Sequence, residues 1–368
     1  MRGVIFDGSQ VEVRKDLEVR APGPDEVAVR IGAAGVCHSD ISVTNGTIPF
    51  PTPVVLGHEG AGVVEAVGSA VTGIEPGDHV VLSTLASCGR CRWCNTGRPT
   101  WCRASLGNVS QPFTSHGQPV WNFAATSTFA EVTVVKAIQA VPIPHDVPMP
   151  VAAIVACAVV TGAGAVLNRA SVAPGHRAAV IGVGGVGLSA VAALALVGAS
   201  RIIAVDTVAA KGERALAMGA TDFVDASAGD AVLGVRTLLP HSAEVTEGLF
   251  GSGGVDWAFD CVGLPATIRR AVDMLDWGGT CVVIGVPPAG AEVTLPINRL
   301  IQVDRGVLGT RAGGNRPHHD IPLFVELYRQ GRLDLDALVT RVAPVEEFDG
   351  VVQDMEAGRL ARGVVVFG

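Results

Sequence analysis

The segment AAVIGVGGVG, residues 178–187, constrains the fold more than any other part of the chain. It sets Gly182, Gly184 and Gly187 in G-x-G-x-x-G register, with Gly185 in the same turn. Alone, that register is a weak signal. Here an apolar strand precedes it, an Ala/Leu-rich helix follows, and a second strand, RIIAVD, ends in Asp206. That βαβ context is what a dinucleotide-binding turn requires. Gly182 permits a tight turn, Gly184 lets backbone approach a pyrophosphate, and Gly187 lets helix and strand pack closely. The helix N-terminus offers free N–H groups to the phosphates. Asp206 stands 19 residues after Gly187. A carboxylate there accepts hydrogen bonds from the adenosine ribose and repels a 2′-phosphate, which favours NAD over NADP. Lys211 either reaches the same ribose or is solvated.

The rest of the chain fits an α/β reading. From about residue 170, short apolar strands (AAVIG, RIIAVD, DFVD, VDWAFD, TCVVIGV) alternate with helical stretches such as LSAVAALALVG, AAKGERALAMG and PATIRRAVDMLDWG. This alternation predicts a parallel sheet covered on both faces. The first 155 or so residues are rich in Val, Gly and Pro, and EVAVRIGAAGV, GAGVVEAVG and GDHVVLS read as strands. After about 310 come two helices, IPLFVELYRQG and EEFDGVVQDMEAG, and a last strand, GVVVFG. The stretch 233–251 reads less clearly, as a surface loop. Two uncharged runs, 147–168 and 178–200, are long enough to span a bilayer. The second is strand, turn and helix, and the first reads as broken by Pro148, Pro150 and TGAG, so both are assigned to a buried core. The net charge of −8 and the lack of a basic run argue against a nucleic-acid surface. The polar N-terminus lacks an apolar signal segment, which makes a cytoplasmic location the default.

Four of the eight cysteines, Cys88, Cys91, Cys94 and Cys102, fall in CGRCRWCNTGRPTWC. The spacing C-x2-C-x2-C-x7-C suits one tetrahedral zinc ion. The stretch has no periodic apolar face, so metal binding supplies its folding energy. A disulfide cluster is the competing reading, and a reducing compartment disfavours it.

A second metal site is indicated by GVCHSD and LGHEG. Cys37 and His58 are zinc-type ligands, and Asp40 and Glu59 are carboxylates placed to hydrogen-bond to them. An open site has three protein ligands plus water. Spacing does not select the third: Cys157, Cys261 and Cys281 all remain, the last two more readily explained by packing in strands.

Taken together, GVCHSD, GHEGAGVVEAVG, the four-Cys stretch, TSTFAEVTVV, TGAGA after Cys157, GVGGVG, AVD, GATD and VVIGVPP resemble, in order, the zinc-containing medium-chain alcohol dehydrogenases. The resemblance covers essentially the whole chain. It implies a GroES-like β-rich catalytic domain formed by 1–158 and 311–368, and a Rossmann doubly wound NAD domain at 159–310. It implies two zinc ions: a catalytic one held by Cys37, His58 and Cys157, and a structural one held by the four-Cys stretch. Ser39 would receive the alcohol proton, with Asp40 and Glu59 supporting the ligands. His38 and Arg362 would face the coenzyme pyrophosphate. Thr161, Val186 and Val286 would lie near the nicotinamide. Ile48, Thr84, Phe123 and Ala124 would line a mostly apolar substrate pocket. The cofactor domains of relatives pair edge to edge, which implies a homodimer or homotetramer.

The chain departs from its relatives in places. Ser42 stands where many animal enzymes end their proton relay in histidine. Ile48 and Leu106 stand where the glutathione-dependent formaldehyde dehydrogenase branch has an acidic residue and an arginine. The main expectation is reversible hydride transfer between a primary or aryl alcohol and NAD. The alternatives are a formaldehyde dehydrogenase using a thiol other than glutathione, and a non-catalytic dinucleotide-binding protein.

Overall fold

The computed structural model describes residues 1–106, 109–239 and 253–368, with the side chain of Leu106 outside the described part. The loop expected at 233–251 is therefore only partly seen. Its first residues complete a helix, Ala231–Thr237, and 240–252 lie outside the described residues.

The contacts divide the chain into two units. The first comprises Met1–Val160 and Asn315–Gly368. Its centre is the Glu26–Val36 strand, buried at nearly every position. Glu59–Val67 pairs with it antiparallel on one side, and the C-terminal strand Arg362–Val366 pairs with it on the other. Strands from the N-terminal half and from the C-terminus thus share one seven-stranded sheet. Two register shifts, at Ala28/Val29 and Ile31/Ala33, bend the Glu26–Val36 ladder. A second sheet of six short strands includes Gly3–Phe6, Val11–Arg14 and Gln118–Asn122. Val29, Ile31, Val64, Leu82, Phe129 and Phe348 are among the core residues of this unit.

The second unit, Thr161–Gly314, is a six-stranded parallel sheet. Its strand order is Asp222–Asp225, Arg201–Asp206, Arg177–Ile181, Val255–Asp260, Leu275–Val283, Gly306–Gly309. The Gly185–Leu196 helix is buried along most of its length, which accounts for its uninterrupted apolar sequence. The expected helix at 265–278 stops at Asp273, and Leu275–Gly279 already belongs to the next strand.

One expectation is corrected. The run 147–168 is not broken: Met149–Ala170 is one continuous helical stretch. Pro148 caps it and Pro150 sits in its first turn, where no intrahelical N–H is needed. The TGAG glycines serve close packing. A Cβ on Gly162 would lie 2.1 Å from Val186 O, and one on Gly164 would lie 2.8 Å from Gly313 O. The helix is long and apolar enough to cross a membrane, but 78% of its most apolar window is buried inside the protein. Two π-helical turns, Val155–Val159 and Ala165–Ala170, widen it. Cys157 lies in the first.

Candidate active site

Cys37 directly follows the central strand of the first unit and caps a short helix, His38–Thr44, that periodicity does not reveal. Asp40 fixes this corner. Its Oδ2 accepts from Cys37 N at 3.1 Å, its Oδ1 accepts from Gly57 N at 3.1 Å, and the same oxygen lies 2.9 Å from His58 Nδ1. A carboxylate only accepts, so the His58 proton is assigned to Nδ1 and Nε2 is left as a donor for metal. Asp40 is fully buried, and every one of these contacts is local to the site.

Glu59 follows at the start of its strand, opposite Gly35. A Cβ on Gly35 would stand 2.2 Å from Glu59 Oε2, so only glycine leaves room for this carboxyl. Glu59 is fully buried and neither of its oxygens accepts a hydrogen bond. Arg362 approaches it, with Nη2 3.4 Å from Oε1. Arg362 is itself buried and donates to Val36 O at 3.0 Å.

Cys37, His58, Glu59 and Cys157 each bring one ligand atom within 4.8 Å of the others. Among the described residues, Cys261 and Cys281 join no such group. Cys281 is core packing in the parallel sheet, and burial pushes its thiol up to about 12. Burial pushes Cys261 up as well.

The electrostatics of the group are strongly coupled. A hydrogen bond from Cys157 holds the Cys37 thiol well below the usual range, against its burial. The same bond, with burial, pushes Cys157 well above it. Burial disfavours the charged form of His58, but Asp40 and Cys157 outweigh it and raise its pKa. Burial pushes Glu59 up to about 8, although Arg362 opposes the rise. The four buried groups thus hold one another's charges in check. Two thiolates with one imidazole, their ligand atoms within 4.8 Å of one another, are a zinc donor set. The residues therefore fit the ion.

Around this group, Ser39 Oγ lies 3.9 Å from Cys37 Sγ. Phe123 is nearly buried and stands edge-on to His58, with ring centroids 5.6 Å apart. Phe50 stands edge-on to Phe123 at 5.3 Å. Phe50 escapes sequence reasoning because IPFPTP reads only as a Pro-rich turn. Ile48 and Ala124 pack partly buried on the same core, and Thr84 is half-buried. The Ser42 carbonyl accepts from Ile48 N at 2.8 Å. His38 is exposed.

The four-Cys stretch closes on itself. Cys91 Sγ and Cys94 Sγ are 3.6 Å apart, as are Cys88 Sγ and Cys102 Sγ. A disulfide needs about 2.05 Å. A tetrahedron with Zn–S near 2.3 Å has edges of about 3.8 Å. The spacing fits a shared ion and excludes a bond. Backbone N–H groups of Arg90 and Cys91 hold Cys88 below the usual thiol range.

In the second unit, the Gly-rich turn has the expected anatomy. Gly182 has φ +85°, a conformation side chains rarely adopt. A Cβ on Gly187 would lie 1.9 Å from Gly182 O, whereas one on Gly184 would meet nothing within 4 Å. That open face is what a close-lying phosphate needs. Asp206 is nearly buried. It accepts from Val183 N at 2.9 Å and Val208 N at 3.0 Å, and its partner is Lys211, with Nζ at 3.1 Å. Lys211 is thus paired rather than solvated. Thr161 is half-buried and Val286 is 60% exposed.

Residues 23–145 match the family model described as alcohol dehydrogenase GroES-like domain, and 185–330 match that described as zinc-binding dehydrogenase. A relative from Schizosaccharomyces pombe, named "Probable S-(hydroxymethyl)glutathione dehydrogenase 1", is 36% identical over 95% of this chain and 92% of its own length. The crystal structure of an alcohol dehydrogenase zinc-binding domain protein from Burkholderia ambifaria superposes with TM-score 0.91 at 34% identity, covering 100% of this chain and 98% of that one. Benzyl alcohol dehydrogenase from Acinetobacter calcoaceticus superposes with TM-score 0.89, also at 34% identity, covering 100% and 99%.

Proposed function

This chain belongs to the zinc-containing medium-chain dehydrogenase family, as an NAD-dependent alcohol dehydrogenase of small alcohols and aldehydes, and from that premise we propose that its substrate is a primary or aryl alcohol, interconverted with its aldehyde. Cys37, His58 and Cys157 hold the catalytic zinc, and Cys88, Cys91, Cys94 and Cys102 hold the structural one. The observation that carries this reading is the meeting of Cys37, His58 and Cys157 with Asp40 bound to the far side of His58.

Bound zinc supplies Lewis acidity that lowers the pKa of an alcohol hydroxyl, and NAD supplies the hydride acceptor. The remaining work is done by the protein. Asp40 holds the His58 tautomer and caps the helix that presents Ser39. Ser39 Oγ takes up the substrate proton and passes it outward. Phe123 and Phe50 give the substrate an apolar wall and keep bulk water from His58. Gly184 leaves the approach open for the pyrophosphate, Asp206 takes the adenosine ribose, and His38 faces the phosphates. We place the enzyme in the cytoplasm, as a homodimer or homotetramer.

The aryl or larger alcohol is favoured by the two rings at the site and by likeness to a benzyl alcohol dehydrogenase. A second reading, a formaldehyde dehydrogenase acting on a thiol adduct, is favoured by likeness to the yeast relative. Ile48 offers no charge to anchor a glutathione adduct, so a different thiol is its form. One experiment separates them: NADH formation with benzyl, long-chain and short alcohols, beside formaldehyde with and without added thiols. Benzyl alcohol turning over with higher kcat/KM than any formaldehyde–thiol mixture supports the first reading. Turnover only with formaldehyde plus a thiol replaces it with the second.

A further inference from the structure

The parallel sheet changes direction at its centre. From Arg177–Ile181 the chain runs outward to Arg201–Asp206 and Asp222–Asp225, and Val255–Asp260 then lies on the opposite side of Arg177–Ile181. In open α/β sheets, ligands bind beyond the carboxyl ends of the strands at such a reversal. Asp206 ends the strand on one side. A dinucleotide with its adenosine ribose there therefore crosses the Gly-rich turn toward the loops 261–264 and 284–287.

Those loops interlock. A Cβ on Gly182 would lie 2.6 Å from Val262 Cγ2. A Cβ on Gly263 would lie 2.6 Å from the Gly285 carbonyl carbon, and one on Gly285 would lie 2.1 Å from Gly263 N. Beneath the junction sits Asp260, the last residue of its strand and fully buried. Its Oδ2 accepts from Gly263 N at 2.8 Å. Its main-chain oxygen accepts from Ile284 N at 2.9 Å and Gly285 N at 3.0 Å. Its Oδ1 is buried and accepts no hydrogen bond. Burial raises its pKa above the usual carboxylate range. A buried carboxyl with an unused oxygen is a poor choice for stability alone. Thr267 and the Val262 N–H also bear on this carboxyl, but its short bond, to Gly263 N, holds a residue whose φ is +86°.

We propose that Asp260 is a positioning residue for the nicotinamide half of the coenzyme. It clamps loop 261–264 to the sheet and, through the Gly263–Gly285 contact, fixes loop 284–287 with its exposed Val286. The inference rests on the reading that NAD occupies this sheet edge. ADP-ribose carries the adenosine and diphosphate but no nicotinamide, so it separates a local clamp from general damage.

The test titrates the full-length, zinc-loaded protein with NADH and with ADP-ribose, as wild type, Asp260→Ala and Asp260→Asn. Losing the buried hydrogen bond to Gly263 N predicts NADH binding about tenfold weaker in Asp260→Ala, with ADP-ribose changed less than about twofold. Asp260→Asn keeps an acceptor for Gly263 N–H and restores NADH to within about threefold of wild type. Where the alanine variant does not fold, Asp260→Leu, near-isosteric and without an acceptor, makes the same comparison. Equal weakening of both ligands, or unaltered NADH binding in the variant lacking an acceptor, overturns the inference. A wild-type protein that binds neither ligand overturns the coenzyme reading beneath it.

Discussion

At the scale of single residues, the site is made of groups far apart in sequence whose roles depend on meeting. Cys157, Cys261 and Cys281 are equivalent by spacing, because no local pattern links residue 157 to 37 and 58. The fold separates them: a π-helical turn presents Cys157 to Cys37 and His58, while the other two thiols lie in or beside the parallel sheet. Cys157→Ser should therefore lower kcat/KM for the best alcohol by about a thousandfold or more, the scale expected when a metal's Lewis acidity is lost. NADH binding should stay within a few-fold, measured by fluorescence titration. Equal loss of both would mean that Cys157 supports the fold rather than the ion. Asp206 was legible from the motif, but its partners were not. It also braces the Gly-rich turn through Val183 N–H and neutralises Lys211. Asp206→Asn keeps an acceptor for Val183 and frees the lysine for a 2′-phosphate. The ratio of kcat/KM for NAD over NADP should fall by about tenfold, consistent with one exchanged charge contact. An unmoved ratio would assign the discrimination to another residue.

At the scale of elements, period and punctuation revealed five strands and most helices of the second unit, because these bury one face or both, and missed the short edge strand Gly306–Gly309. Two elements escaped the pattern for physical reasons. Glycines inside Met149–Ala170 look like breakers, yet Gly162 and Gly164 are there so that other backbone can approach within contact distance. The His38–Thr44 helix is too short to show a period, and only its Asp40 capping contact declares it. The four-Cys stretch was legible because all its ligands are local. Its helical segment, Arg92–Asn95, buries no residue, so it has no core to fall back on. Apparent binding energies of structural zinc are about 10–16 kcal/mol in small domains. Cys91→Ala should release this ion and lower the thermal midpoint by at least about 5 °C. Calorimetry alongside zinc analysis checks this, and an unchanged midpoint with one zinc lost would deny the lobe its role in stability.

At the scale of the whole molecule, the sequence pattern of strands, then strand–helix alternation, then more helices and one strand conceals a split unit. The Arg362–Val366 strand pairs with Glu26–Val36 across more than 300 residues of chain, a contact that periodicity cannot indicate. One consequence is that all seven proposed zinc ligands lie in Met1–Val160, whereas the Gly-rich turn and Asp206 lie in Thr161–Gly314. Metal and coenzyme affinity should then be separable. Prolonged treatment with a strong zinc chelator should abolish alcohol oxidation, to below about 1% of the starting rate, because the reaction without a Lewis acid has lost several kcal/mol of stabilisation. NADH should still bind, with a dissociation constant changed by no more than about threefold, since its phosphate and ribose contacts are intact. The catalytic site should empty before the structural one: an open three-ligand site loses its ion more readily than a closed four-thiolate site. Following zinc release, activity and NADH fluorescence in one time course checks all three. Activity that outlasts the first zinc released would show that the open site is not the Cys37, His58 and Cys157 group, and loss of NADH binding in step with zinc would show that the two units do not bind their ligands independently.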